Sequence, residues 1–454
     1  MAASNRSTVG QLIRLAWPVL IAQVAVVLYG VIDTVMAGHL SALDLAAVGI
    51  GASIYVTVFV SCMGVLLALM PTVAHLYGAG RRADIGEEVR QSAWLALALS
   101  VAGVALLRHP EPFLALSHLT PAVEAKVRAY LQAVSWAMVP SLGFRIFYGF
   151  MAGIGRPRAV MAFNVIGLAA KVPLNLLFMY RLDMGAAGCA ASTATISWTT
   201  ALLAWAWCCR QADCAQYGIF DRLTRPRAQA IGALLRLGLP IGATFLVDVT
   251  AFTFMALFVA RLGPVTSAAH QIAANLAVLT FMLPLSIGNA SLVLAGQALG
   301  ARDAASARRA GLVGLVLGFG VSLGVCALLR FAAGTLAALY TSDAAVRTLA
   351  TSLVAIVAFY HLADSIQGVA VNVLRGYKKT AVPMLVYAVS LWGVGLGGGY
   401  LLGLTDLLGP ARGAAGFWLA SACSLLLAGT IVLAYFLHVS RQATPTTIAN
   451  RRNP

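Results

Sequence analysis

An all-α polytopic membrane protein, with 12 transmembrane helices in two parallel-repeat six-helix lobes around a central cleft, is the fold class this sequence predicts. Composition, an internal copy and the spacing of apolar runs predict it. Of 454 residues, 60% are hydrophobic and only 10% charged, whereas a soluble domain carries about 25% charged residues. From Arg14 to Leu40 the chain reads RLAWPVLIAQVAVVLYGVIDTVMAGHL. An offset of 222 lands without a gap on RLGLPIGATFLVDVTAFTFMALFVARL, from Arg236 to Leu262. The register carries Pro18 onto Pro240 and Gly78-Ala79 onto Gly300-Ala301. A helix crosses a bilayer in about 20 residues, and apolar runs of that order recur along the whole chain.

In order, the first six spans fall roughly at 14–37, 45–77, 91–108, 127–152, 158–180 and 186–209. The second six lie near 236–261, 266–299, 309–332, 347–373, 380–404 and 412–438. The amino terminus lacks an A-x-A-like cleavage site and its apolar run is too long for a signal peptide, so it reads as a first span that stays. Arg81 and Arg82 close the second span. AGIGRPRAVM (152–161), between the fourth and fifth, parallels VLRGYKKTAVPM (373–384), between the tenth and eleventh. The most polar connection, Arg210 to Ala230, reads as a cytoplasmic linker. It divides a first lobe, 1–222 with the linker from about 210, from a second lobe, 223–454 with a short cytoplasmic tail. An even number of spans per lobe makes the copies parallel repeats about an axis along the membrane normal, a geometry suited to alternating access.

The net charge of +16 is spread in short clusters between apolar runs, so it speaks for membrane topology and against nucleic acid. Loops on the side of the termini hold 21 of the 31 Lys and Arg, the opposite loops hold 8, and Arg145 and Lys171 lie inside spans. Both termini are therefore expected in the cytoplasm. The seven cysteines are scattered without a CxxC pair and read as small buried hydrophobes. His39, His109 and His118 fall in outer loops and His270 and His361 near spans, with no metal-spaced pair.

Of 15 acidic residues, three lie inside spans: Asp33, Asp248 and Asp364. Carboxylates at that depth are costly and mark candidate functional sites, the alternative being a polar contact between helices. Asp248 aligns with Val26, and Asp33 stands seven positions, about two turns, beyond it. Asp364 has no acidic counterpart, so the second lobe holds two acids and the first lobe one. Tyr360, four before Asp364, shares its helical face, and Gln271 and Asn275 are likewise four apart. Two carboxylates with neutral oxygens suit a hard monovalent cation such as Na+ at Asp364 and Asp248; they suit a proton equally. In the first lobe Lys171 opens KVPLN, one turn before Asn175. Its ammonium pairs with Asp33 or snorkels to the interface. Aromatic residues on these spans (Tyr29, Phe252, Phe254, Phe281, Phe359) are candidates to meet lipophilic cations, or are ordinary packing.

Catalytic signatures such as HExxH, GxSxG and Walker A are missing, and GVGLGG from Gly393 to Gly398 lies inside an apolar span, where it reads as close helix packing. An intramembrane enzyme is thereby disfavoured. With these residues in place, the chain resembles the multidrug and toxic compound extrusion (MATE) transporters in their NorM-like bacterial branch. The resemblance is carried by LAWPVLIAQVAVVLYGVIDTVMAGHLSALDLAAVGIGASIY (15–55), KVPLN (171–175), GLPIGATFLVDVT (238–250), AAHQIAANL (268–276) and ADSIQGVAVNVLRGYKKT (363–380).

The resemblance implies a multidrug efflux antiporter of the bacterial inner membrane. It would export amphipathic cationic small molecules in exchange for Na+ or H+, with no other cofactor and as a monomer. By position, Asp364 matches the acid of a second-lobe cation site and Tyr360 the tyrosine one turn before it. Asp248 stands where relatives usually carry Glu, Asp33 matches the first-helix acid, and Asn175 matches an asparagine grouped with it. Lys171 departs from the family's neutral residue. A flippase for lipid-linked saccharides is the alternative in a related two-lobed fold, and three acids against Lys171 and Arg145 inside the spans disfavour it.

Overall fold

A computed structural model of the chain describes residues 2–114 and 119–443. His118 and the expected tail from 444 lie outside the described residues. The secondary structure is helical almost throughout. The first half contains α1 (Ala2–Leu40), α2 (Ala42–Leu66), α3 (Leu69–Gly78), α4 (Arg82–Arg108), the short α5 (Glu111–Leu114), α6 (Pro121–Ser135), α7 (Met138–Gly153), α8 (Pro157–Asn175), α9 (Gly185–Arg210) and the short α10 (Ala212–Ala215). The second contains α11 (Ala228–Ala260), α12 (Pro264–Gly300), α13 (Ala304–Phe331), α14 (Ala333–Tyr340), α15 (Ala344–Gly376), α16 (Ala381–Ala388), α17 (Gly398–Leu404) and α18 (Ala414–Gln442). Joined end to end where they are continuous, these make the twelve expected spans. Ten of the spans are long and apolar enough on their own to cross a membrane. The fourth (α6–α7) and the serine- and threonine-rich sixth (α9) are the two that fall outside that group.

Prolines explain why the copies differ locally. The second span breaks at Leu67-Ala68 and the fourth at Trp136-Ala137. Pro71 and Pro140 stand four residues after Leu67 and Trp136, so neither can donate the helical N–H that those carbonyls need. Their second-lobe counterparts are Val293 and His361, and there α12 and α15 run unbroken. Both fifth spans contain a π-helical stretch, Leu176–Arg181 after Pro173 and Val389–Gly397 in the glycine-rich run. Within that run Gly395 packs on Ser424, where an added Cβ would come within 2.9 Å of the hydroxyl. The tight approach to Phe417 is made by Gly399 and Gly403, just outside GVGLGG.

Two compact units form, Ile21–Gly242 and the described part of Met1–Leu20 with Ala243–Pro454. Relative to the lobes drawn on the sequence, the opening segments of α1 and α11 trade places, and both boundaries fall at positions related by the 222-residue offset. In one unit Leu12 and Ala16 of α1 pack with Ile287 and Ala290 of α12. In the other, Gly238 of α11 lies so close to the Val65 carbonyl that a side chain would not fit. The linker is pinned to α4 within that second unit. Gln91 Nε2 donates to Arg225 O at 3.0 Å, the Arg227 N–H returns to Gln91 Oε1 at 2.8 Å, and Trp94 Nε1 donates to Thr224 O at 2.9 Å.

Candidate functional site

In the unit built on residues from Ala243 onward, one stripe of α15 carries Tyr360, Asp364, Gln367, Gly368, Val371 and Arg375. Their spacing of three and four keeps them on one face. That face meets Asp248 and Phe252 of α11, Phe281 of α12 and Tyr387 of α16 around a cavity of about 100 Å³. Asp364 is 7% exposed and receives no hydrogen bond among the described residues. Asp248 is half-buried and accepts from the Tyr387 hydroxyl at 2.6 Å. The Tyr360 ring is held edge-on against Trp418, centroids 5.4 Å apart, so its position is set by the core. The two carboxylates thus share a mainly apolar chamber with one phenol already committed. A monovalent cation or a proton entering there replaces like-charge repulsion with attraction.

The structure brings Asp364, Asp248, Tyr360 and Phe252 together and leaves three candidates outside. Gln271 and Asn275 lie on α12 about two turns and one turn before Val278, beyond the cavity's end, and are exposed. The side-chain amides that line the cavity are Gln367 and Asn372. Phe359 is 61% exposed, because one residue from Tyr360 turns it about 100° around the helix. Of the other aromatics, Phe281 lines the cavity, Phe254 packs on Trp392, and Tyr29 donates to Asn164 O at 2.9 Å. Tyr387 carries no signal in the sequence, since its counterpart is Val165. Gln367 and Arg375 were accessible from the helical stripe of Asp364.

The first-lobe candidates meet in the other unit. Lys171 Nζ lies 2.8 Å from Asp33 Oδ1, 3.0 Å from Ser192 Oγ and 2.6 Å from Thr193 Oγ1. Asn175 Nδ2 donates to the same Asp33 oxygen at 2.8 Å, and Ser192 donates to Asn175 Oδ1. Lys171 and Asn175 are fully buried. Lysine is rarely interred unless its donors are satisfied, and here three oxygens occupy its three protons.

Residues 18–177 and 240–401 match the MatE family, and the two matched stretches open on the equivalent Pro18 and Pro240. The chain is 39% identical over 436 residues to a probable multidrug resistance protein NorM of Aromatoleum aromaticum, covering 94% of each chain. It is 36% identical to the multidrug resistance protein NorM of Vibrio vulnificus, covering 94% of this chain and 95% of that one. With the multidrug resistance protein MdtK of Pectobacterium atrosepticum it shares 35% over 96% of each. Among solved structures it superposes on the eukaryotic MATE transporter AtDTX14 with a TM-score of 0.87 at 16% identity, covering 97% of this chain and 98% of that one. On a MATE protein in its bent conformation the TM-score is 0.88 at 19% identity, covering 96% of each. At these identities the structural likeness is one of fold. The family match over both repeats and the full-length relatives decide the matter: the chain is a multi-pass membrane protein that belongs to the MatE family of multidrug and toxic compound extrusion transporters.

Proposed function

We propose that this protein is a multidrug efflux antiporter that exports amphipathic organic cations in exchange for Na+ or H+, with Asp364 and Asp248 as the coupling pair. The observation that carries the coupling site is one buried chamber holding both carboxylates, with Asp364 lacking a hydrogen-bond partner. Binding of a cation or proton satisfies it and at the same time weakens its hold on a cationic drug, so the two ligands compete. Tyr360 would lend a phenol oxygen and Phe252 an apolar and cation–π wall. In the first lobe Lys171 neutralises Asp33, which leaves the coupling to the second. Asn175 completes that neutral cluster. The protein works as a monomer in a bacterial inner membrane with both termini cytoplasmic. Its two lobes, 1–222 and 223–454, act as the repeat units of alternating access.

The test is ethidium efflux from proteoliposomes under a Na+ gradient and a pH gradient imposed separately, for wild type and Asp364→Asn. Efflux on one gradient alone, lost in the variant, identifies the coupling ion. Full efflux by a well-folded Asp364→Asn protein overturns the assignment of the coupling pair.

A further inference from the structure

All seven cysteines are free thiols, and two of them meet. Cys208 lies in the last turn of α9 and Cys214 in the short α10. Between them Gln211 leaves helical geometry, with φ −84° and ψ 119°, and folds the chain back. Its N–H donates to Cys208 O at 3.3 Å, and the Cys214 N–H donates to Gln211 O at 2.9 Å. The Cys208 thiol donates to Cys214 Sγ, and the two residues are 1% and 3% exposed. Contacts on either side hold α10 in place. Arg156 Nη1 meets Asp213 Oδ2 at 2.6 Å, and Tyr217 packs edge-on against Phe150, centroids 5.2 Å apart. The hydrogen bond from Cys208 and the Arg156 guanidinium hold the Cys214 thiol below the usual thiol range, although burial opposes them. The thiolate is the reacting form, so a thiol near a fixed positive charge is the nucleophile of such a pair. Asp213 and Ala215 on either side are exposed, which leaves the Cys214 sulfur one layer beneath the surface.

We propose that Cys208 and Cys214 form a peroxide-responsive dithiol, which closes to a disulfide and staples α10 to the end of α9. With the orientation proposed above the pair faces the cytoplasm, where thiols are kept reduced and disulfides are transient or redox-sensing. The Cys214 sulfur attacks one oxygen of hydrogen peroxide. An S–O bond forms as the O–O bond breaks, and the departing hydroxide takes the thiol proton and leaves as water. The Cys208 sulfur then attacks the sulfur of the Cys214 sulfenic acid. The S–S bond forms, the S–O bond breaks, and hydroxide leaves with the Cys208 proton as a second water. In sum two thiols lose two electrons and two protons, and the peroxide is reduced to water. Because the thiols already touch, the second step is intramolecular and outruns further oxidation of the sulfenic acid. The chemistry needs none of the residues of the carboxylate chamber.

The test exposes the reduced, full-length protein in detergent to graded hydrogen peroxide, then denatures it, alkylates it with a maleimide and maps its tryptic peptides by mass. Trypsin cuts at Arg210, between the two cysteines, so the disulfide appears as a linked pair of peptides. Cys208 and Cys214 are expected to lose alkylation together and to regain it with dithiothreitol. Cys326, a buried thiol on α13, stays alkylated at the same exposures. In Cys208→Ser the linked peptides vanish and Cys214 is captured by dimedone as a sulfenic acid. In Cys214→Ser the Cys208 thiol stays open to alkylation. Cys209→Ser, which removes the exposed neighbour, forms the same disulfide as wild type. Loss of Cys208 and Cys214 alkylation no faster than that of Cys326 would overturn the proposal, as would loss of the disulfide in Cys209→Ser. An equal yield in urea-unfolded chain also overturns it, since sequence spacing alone would then bring the thiols together.

Discussion

Lys171 and Arg375 are both buried cations, one inside a span and one in the last turn of α15, and their surroundings differ in kind. Lys171 meets one carboxylate oxygen and two hydroxyls within 3.0 Å, so all its protons are used. Removing one member of a buried ion pair strands the other and costs about 3–5 kcal/mol, while removing both is often neutral. Lys171→Met is therefore expected to lower the thermal aggregation midpoint in detergent by several degrees, and Asp33→Asn/Lys171→Met to recover most of it. An equal loss in single and double variants would show that the ammonium packs there through its stem alone. The Asp33–Lys171 pairing was legible in the sequence as one of two choices. Ser192 and Thr193 were not, because serine and threonine are common in this span and only its rotation shows which of them face inward.

At the scale of the element, prolines and glycines decide where otherwise similar helices depart from one another. Breaks four residues before Pro71 and Pro140 could be located from sequence, yet a proline inside a span also leaves helices continuous, as Pro18, Pro240 and Pro284 do. Whether the freed carbonyl finds another partner is a matter of packing. Gly238 is a sharper case. A Cβ there meets the Val65 backbone, which cannot swing aside as a side chain would. Gly238→Val is expected to cost about 1–3 kcal/mol by overpacking, read as a lower aggregation midpoint and reduced yield. Gly232 on the same helix has nothing within 4 Å of its added Cβ, and Gly232→Val serves as the control that leaves both unchanged.

For the whole molecule, the charge asymmetry of the loops and the even number of spans make a topological prediction. Fluorescent protein fused after residue 443 is expected to fold and fluoresce in the cytoplasm. Alkaline phosphatase fused at Glu111 is expected to be active in the periplasm, and the same enzyme fused at Thr224 inactive. Activity at Thr224 would reverse the assigned orientation. That linker, read from the sequence only as the most polar connection between the lobes, is tied to α4 through Gln91, Trp94 and Arg90.

Helix content, the twofold repeat, the number of spans and the presence of three intramembrane acids were determined by the sequence alone. Each is a property of local composition or of self-similarity at a constant offset, and neither requires knowing which helix touches which. Tertiary structure alone decided that Tyr387 donates to Asp248 across 139 residues, and that Gln271 and Asn275 fall short of the cavity. It alone decided that the opening segments of α1 and α11 change units. Those outcomes depend on how far each helix is rotated and shifted along its axis when it packs. A rotation of 100° or a shift of one turn leaves the hydropathy pattern nearly unchanged and alters every side-chain partner.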